Sequence, residues 1–224
     1  MMDPSPKPPE ALIQAITQDL RPVKPSPPPL PLAMRMVPLA LVFSWLIFLA
    51  MGVRRDSGPL LTWGVSSAQF VLAIALIWIA AREGTPARRL PGTMVRASAV
   101  AALLAVVMLT VLTASLSPPR RPGPGSPWVS GLACGLSSTI AGGILILLLG
   151  WVFRKSVAAR PTMAGALYGV GVGIAINADW RMVCPVSTLP HALGAHGTAV
   201  LLIMLLGALL GRTWGARKLQ VRKS

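Results

Sequence analysis

The sequence predicts an all-α integral membrane protein of about six transmembrane helices, with both termini in the cytoplasm. The first observation is compositional, since 54% of the residues are hydrophobic and only 12% are charged, a combination that soluble domains rarely show. The second is the recurrence of apolar runs long enough to cross roughly 30 Å of hydrocarbon. The third is an unequal division of basic residues between the connecting segments. The lipid bilayer is therefore an expected partner.

Six apolar runs without Asp, Glu, Lys or Arg are the predicted spans, and helices are the simplest interpretation of their length. The first run contains Pro38 near its start, and the fifth is expected to end at Asp179. The predicted transmembrane domain covers residues 36–211, between a cytoplasmic tail of residues 1–35 and a basic cytoplasmic tail of residues 212–224. The individual spans are residues 36–53, 60–81, 97–116, 128–153, 162–178 and 193–211.

The distribution of Lys and Arg predicts the orientation, because cytoplasmic segments of membrane proteins collect positive charge. Of the 21 basic residues, 16 fall in the two tails and in the second and fourth connections. The five on the opposite side are Arg54, Arg55, Arg120, Arg121 and Arg181. A net charge of +15 can also indicate nucleic-acid binding, but here the charges mark the edges of the spans, so no direct nucleic-acid contact is expected. We expect a multi-pass protein of the bacterial inner membrane.

Two predicted spans carry glycine at intervals of four residues, which places small residues along one helix face. The fifth span contains Gly165, Gly169 and Gly173, and the sixth contains Gly207 and Gly211. Close helix packing is the expected use of these stripes, and a flexible or ligand-lined helix is the alternative.

The tail contains a short segment, residues 10–20, with the apolar spacing of an α-helix. Pro residues precede it and Pro22 ends it, and a Pro-rich linker over residues 22–31 separates it from the membrane. Eleven residues make a marginal helix in water, so its apolar stripe needs a cover. The membrane surface, the chain's own loops or a groove on a soluble partner can each bury this stripe. The stripe consists of Leu12, Ile13, Ile16 and Leu20.

The two cysteines, Cys134 and Cys184, are too few for a disulfide framework, but the predicted orientation places both on the non-cytoplasmic side. Thiols in an oxidising compartment can pair, or meet oxidants and metal ions. His191 and His196 follow Cys184, so the four side chains are candidate ligands of a metal such as zinc or copper. The alternative is that Cys134 is a small apolar residue of a packed helix and that the histidines are interfacial polar residues.

Several functional classes lack support in the sequence. Pumps and proton-coupled transporters keep ionisable groups inside their spans, and none is securely inside a span here. Catalytic motifs and paired carboxylates are also missing from the sequence, so no enzyme, no catalytic residue and no cofactor other than a metal ion is expected. The alternative function from another class is a small multi-pass transporter or channel subunit with a pathway lined by Ser137, Ser138, Thr139 and Asn177.

The chain resembles the NrsF-type membrane anti-sigma factors. In the tail, Leu12-Ile13, Ile16, Asp19-Leu20 and Pro22-Val23 are similar to the family's amino-terminal signature. Cys134 and Cys184, followed by Pro190 and His191, are similar to its outer thiol motif. The likeness covers nearly the whole chain.

The resemblance implies a negative regulator of transcription that holds an extracytoplasmic-function RNA polymerase sigma factor at its cytoplasmic face and releases it on a stress or light signal, including signals that control carotenoid synthesis. It also implies signal sensing by Cys134 and Cys184, with His191 beside them. The expected contacts with the sigma factor are Leu12, Ile13, Ile16, Asp19 and Leu20.

Overall fold

The computed structural model describes residues 10, 14, 17–18, 34, 36–54, 58–83, 90–116, 127–153, 160–184 and 186–221. Over these residues the protein is helical and contains no β-strand. Six helices cross the structure, which confirms the predicted all-α membrane fold. They are α1 (Met36–Met51), α2 (Leu60–Arg82), α3 (Gly92–Leu116), α4 (Pro127–Phe153), α5 (Pro161–Val183) and α6, which runs through Leu189–His191, Ala192–Gly197 and Thr198–Val221.

Five of the six helices are long and apolar enough to cross a membrane, namely α2 to α6. The first helix, α1, has 16 residues, which corresponds to about 24 Å at 1.5 Å per residue. That length is shorter than the roughly 30 Å of a typical hydrocarbon core. The first turn of α2 and the second turn of α6 are π-helical, over Leu60–Gly64 and Ala192–Gly197.

Helix α5 is the centre of the bundle and contacts each of the other five helices. Every residue from 169 to 180 is buried. The helix reaches this central position because it is built largely from Gly, Ala and Val, which allow neighbouring backbones to come close.

The glycine stripes of α5 and α6 face each other, which confirms the predicted close packing. A Cβ atom added to Gly165 would collide with the carbonyl oxygen of Gly207, and one added to Gly211 would collide with that of Pro161. At Gly169 the added atom would lie 2.6 Å from the Cα of Met204. Larger residues at these positions are therefore incompatible with the observed helix separation.

The fifth helix is longer than the sequence predicts. It continues past Asp179 to Val183, so Asp179 and Arg181 lie within it. The expectation that ionisable residues stay outside the spans is therefore wrong for these two. The physical reason is that α5 is surrounded by protein rather than by lipid, and polar partners on neighbouring helices hydrogen-bond both side chains.

The sixth helix also begins earlier than predicted, at Leu189 rather than at residue 193. Pro190 occupies its first turn, where the missing N–H costs no helical hydrogen bond. His191 consequently projects from a helix rather than from a loop.

The two ends of the bundle differ in their polar contacts. At the end that we call the Cys184 end, α1, α3 and α5 finish and α2, α4 and α6 begin. At the opposite Arg160 end, the Arg160 guanidinium donates two hydrogen bonds of 2.8 Å to the buried Glu83 carboxylate and a third to the Leu90 carbonyl oxygen. This ion pair links the starts of α3 and α5 to the end of α2.

Candidate functional site

Cys134 and Cys184 come together at the Cys184 end. Cys134 lies two turns into α4, and Cys184 directly follows the last residue of α5. Their Sγ atoms are 3.9 Å apart, and both residues are free thiols. A disulfide bond requires a separation of about 2.05 Å, so a movement of about 2 Å would suffice to close it.

His191 completes a three-residue cluster with the two thiols. Its Nε2 atom is 3.3 Å from the Cys184 Sγ, and the three potential ligand atoms all lie within 4.8 Å of one another. Sulfur ligands of a tetrahedral zinc ion, with bonds of about 2.3 Å, are about 3.8 Å apart. The donor set and its spacing therefore fit a thiophilic metal ion such as zinc.

His196 occupies a different position from the other three candidate ligands. It is buried, and its Nδ1 atom lies 3.4 Å from the Ser138 hydroxyl. Its ring packs edge to face with that of His191, with centroids 5.1 Å apart. His196 therefore packs against the His191 ring. The cluster of potential ligand atoms consists of Cys134, Cys184 and His191.

Backbone and side-chain hydrogen bonds hold the two cysteines in place. The amide of Cys184 donates to the Trp180 carbonyl oxygen at 2.7 Å, which ends α5 in an extended conformation. The Cys134 carbonyl oxygen accepts from the Ser138 hydroxyl at 2.7 Å and from Trp180 Nε1 at 3.2 Å. Trp180 therefore connects the backbones of both cysteines.

The two thiols differ in accessibility. Cys184 is buried, with 3% of its surface exposed, whereas Cys134 is partly exposed. The hydrogen bond to Cys134 and burial together raise the pKa of Cys184 well above the usual range of a thiol. Since the thiolate is the reactive form, Cys134 is the more accessible of the two thiols and Cys184 the less reactive.

A comparison with known protein families shows which kind of protein contains this thiol site. The family described as NrsF, negative regulator of sigma F, matches residues 16–215, which is most of the chain. This chain belongs to the NrsF family. NrsF proteins are negative regulators of a sigma factor, so the partner of this one is a sigma factor. No curated protein and no solved structure matches the chain.

The expected sigma-factor contacts of this NrsF protein, Leu12, Ile13, Ile16, Asp19 and Leu20, lie outside the described residues. Four other residues of the same segment are helical and exposed, and all four are polar. They fall at offsets of 0, 4, 7 and 8, which is one face of a helix; they are Glu10, Gln14, Thr17 and Gln18.

The four residues proposed for a transport pathway in this NrsF protein have separate environments. The hydroxyls of Ser137 and Thr139 donate to carbonyl oxygens one turn earlier in α4. Ser138 is buried beside His196, and the amide of Asn177 donates to Gln69 Oε1 at 3.3 Å. Each of the four polar side chains therefore has a hydrogen-bond partner within the protein.

Sequence reasoning missed a second group of polar residues near the thiols. Ser44 on α1 donates a hydrogen bond to Asp179, and Arg54 donates one to the Cys184 carbonyl oxygen. Arg181 contacts α2 and α3. The signal available in the sequence is the pair of charges, Asp179 and Arg181, directly after a long apolar run, a pattern that also predicts the end of a helix.

Proposed function

We propose that this NrsF protein binds an extracytoplasmic-function sigma factor at the cytoplasmic face of the bacterial inner membrane and releases it when a signal reaches the opposite face. The observation that carries this proposal is the family match over residues 16–215, since it includes part of the tail and both cysteines. The charge distribution supports an orientation with the tails inside and the Cys184 end outside.

The proposed contact with the sigma factor is the apolar stripe of the tail segment 10–20. Its anchors are Leu12, Ile13, Ile16 and Leu20, with Asp19 beside them as a polar contact. Burial of each apolar side chain contributes roughly 1.5 to 3 kcal/mol before ordering costs are subtracted. A short helix of this kind gives a regulated complex rather than a permanent one. The exposed polar face is consistent with the opposite, apolar face being covered by a partner.

The proposed sensor is the thiol pair. One thiolate attacks hydrogen peroxide, a two-electron oxidant, and breaks its O–O bond to give a sulfenic acid and hydroxide. The second thiol then attacks the sulfenic sulfur, and water leaves as the disulfide forms. The pair is oxidised and the peroxide is reduced. The 3.9 Å separation of the Sγ atoms supports this chemistry, because the thiols need little movement to form the bond.

Metal binding is the alternative signal at the same residues. Cys134, Cys184 and His191 supply two thiolates and one imidazole, and His196 would complete the set only after a rearrangement away from Ser138. Binding of zinc or copper would release the thiol protons, because thiolates are the ligands. Light is a third signal, since in size and number of spans the chain is similar to the light-responsive anti-sigma factor CarR, which controls carotenoid synthesis.

A reporter of the sigma factor's own promoter distinguishes these signals. Cells with the native protein and cells with Cys134→Ser plus Cys184→Ser are exposed separately to peroxide, to zinc or copper, and to blue light with a photosensitiser. Loss of one response in the double variant identifies the signal that the thiols detect. Retention of all three responses removes the thiol pair from sensing and leaves the tail contact untouched.

Co-purification from membranes tests the sequestration of the sigma factor. The native protein is compared with Ile13→Asp plus Ile16→Asp, which places two charges on the apolar stripe. The matched control is Gln14→Asp plus Gln18→Asp, because these positions are exposed on the polar face. We expect the sigma factor to bind the native protein and the control and to be lost from the first variant, at equal membrane levels. Equal binding by all three would exclude the stripe as the contact, and no binding by any would direct attention to transport assays in liposomes.

A further inference from the structure

A small cavity lies at the Cys184 end beside the thiol cluster, between the starts of α2 and α6 and the ends of α3 and α5. Its volume is about 40 Å³, which exceeds the 10–15 Å³ that one water molecule needs. Polar side chains contribute much of its wall, and the principal ones are Arg54, Thr62, Thr110, Asn177, Arg181 and His196. We call this space the guanidinium cavity, after Arg54 and Arg181.

Two guanidinium groups, those of Arg54 and Arg181, line the cavity. One nitrogen of the Arg181 guanidinium donates to the Thr113 hydroxyl at 2.7 Å and approaches the Leu61 carbonyl oxygen at 3.4 Å. Its Nε atom is buried, and within the described part of the chain no acceptor lies within hydrogen-bonding distance of it. A buried donor on a charged group without an acceptor is costly, so the position calls for one.

The described carboxylates do not supply this acceptor. Glu83 is paired with Arg160 at the other end of the bundle. Asp179 is two residues from Arg181, which is about 200° around a helix, and it accepts from Ser44 on the side of α5 that faces α1. Glu10 belongs to the tail. Neither Glu83, Asp179 nor Glu10 is part of the cavity wall.

We propose that the guanidinium cavity binds an anion no larger than a phosphate group, either as a free ion or as the phosphate of an anionic lipid headgroup. Guanidinium groups present planar pairs of N–H donors that match the oxygens of phosphate and sulfate. The amide of Asn177 adds a neutral donor to the same wall. The bound anion supplies the acceptor that the Nε atom of Arg181 lacks, at the place where α2, α3, α5 and α6 meet, and it therefore stabilises this junction.

The test uses the purified full-length protein and follows thermal unfolding by tryptophan fluorescence. In neutral detergent, phosphate or sulfate replaces gluconate in the low-millimolar range at constant ionic strength. In a second arm, the protein is placed in nanodiscs of phosphatidylcholine with or without phosphatidylglycerol, in gluconate. A rise of the midpoint in the first arm identifies a free anion, and a rise in the second arm alone identifies a lipid phosphate.

The variants are Arg181→Gln and Arg54→Gln, with Arg96→Gln as the control, because Arg96 is exposed on α3 towards the Arg160 end. Loss of either cavity arginine is expected to weaken the apparent affinity roughly tenfold or more, whereas the control responds like the native protein. Two cavity variants are used so that the test can still be read if one of them does not fold.

An unchanged midpoint of the native protein in both arms overturns the proposal, as does an unchanged response in both cavity variants. If the midpoint of the native protein is unchanged in both arms, the variant Asp56→Asn tests whether a carboxylate of the protein takes the place of the anion. Asp56 lies outside the described residues and is the one acidic residue in the connections between helices at the Cys184 end. A lower midpoint for this variant then assigns the counter-charge to the Asp56 carboxylate.

Discussion

The hydroxyl of Ser44 on α1 donates a 3.1 Å hydrogen bond to Oδ2 of Asp179 on α5. The contact is fully buried, with Asp179 only 2% exposed. Asp179 directly precedes Trp180, whose indole N–H reaches the Cys134 carbonyl oxygen. Since α1 follows the tail in the chain, this hydrogen bond connects the surroundings of the thiols to the helix next to the proposed sigma-factor contact.

Replacement Ser44→Ala leaves a buried carboxylate without this donor. The expected cost is about 1 to 3 kcal/mol, felt as a weaker attachment of α1 to α5. In the reporter strain we expect sigma-factor activity to rise in the absence of a signal. The control is Ser98→Ala, because the Ser98 hydroxyl is exposed and donates to Met94 within its own helix. Tight repression by Ser44→Ala would show that the hydrogen bond does not transmit the state of the site.

Replacement Gly207→Ala tests the packing of α5 against α6. The added methyl group would meet the Gly165 carbonyl oxygen, and overpacking of this kind costs typically 1 to 3 kcal/mol. We expect a lower midpoint of thermal unfolding in detergent. Gly194→Ala is the matched control, since nothing lies within 4 Å of a Cβ atom at that position; equal midpoints for the two variants would contradict the observed packing.

The Glu83 and Arg160 pair is expected to hold the connections at the Arg160 end. Glu83→Gln leaves the Arg160 guanidinium with weakened partners and should destabilise the protein by about 1 to 3 kcal/mol. This loss is smaller than for a fully buried ion pair, because the Arg160 side chain is 33% exposed. Limited proteolysis of inside-out vesicles measures the effect as faster cleavage between α2 and α3. The double variant Glu83→Gln plus Arg160→Gln should cost less than the sum of the two single variants, and a cost equal to that sum would argue against a direct pairing.

The two thiols should react at different rates. In Cys184→Ser the partly exposed Cys134 remains, and in Cys134→Ser the buried Cys184 remains. Because Cys184 is buried, with 3% of its surface exposed, its thiolate form is disfavoured. Its reaction with N-ethylmaleimide should therefore be the slower of the two and should accelerate as the pH is raised. Labelling in denaturing detergent is the control, where both variants should react alike. Faster labelling of Cys184 in the folded protein would contradict this order of reactivity.

The sequence predicted the helices well because membrane spans are set by length and hydropathy, which are local properties. It also predicted that glycine stripes such as Gly165 and Gly169 pack closely, since close packing is their common use. The predicted end of α5 was wrong, because a charge at Asp179 terminates a span only when the helix faces lipid. Whether a helix faces lipid or protein depends on its neighbours, which the sequence alone does not show.

The candidate site was predicted in part. The sequence predicts Cys134, Cys184 and His191 as site residues, because thiols and imidazoles on the same side of a membrane are ligands of the same metal ions. The structure separates His196 from them, since the π-helical turn of α6 directs it to Ser138. The sequence alone places Arg54 and Arg181 at the edges of spans, because the contacts that bring them to one cavity join residues more than 100 positions apart.

The central position of α5 has a consequence for how the protein is made. Of the five helices long enough to cross the membrane it is the least apolar, with a mean hydropathy of 1.2, and it carries Asn177, Asp179 and Arg181 at one end. Such a segment gains little from lipid alone, so its stable insertion depends on helices already delivered to the bilayer and on α6, which leaves the ribosome after it. A nascent chain interrupted before α6 would expose the glycine face of α5 to lipid, and membrane quality-control proteases would meet it in that state.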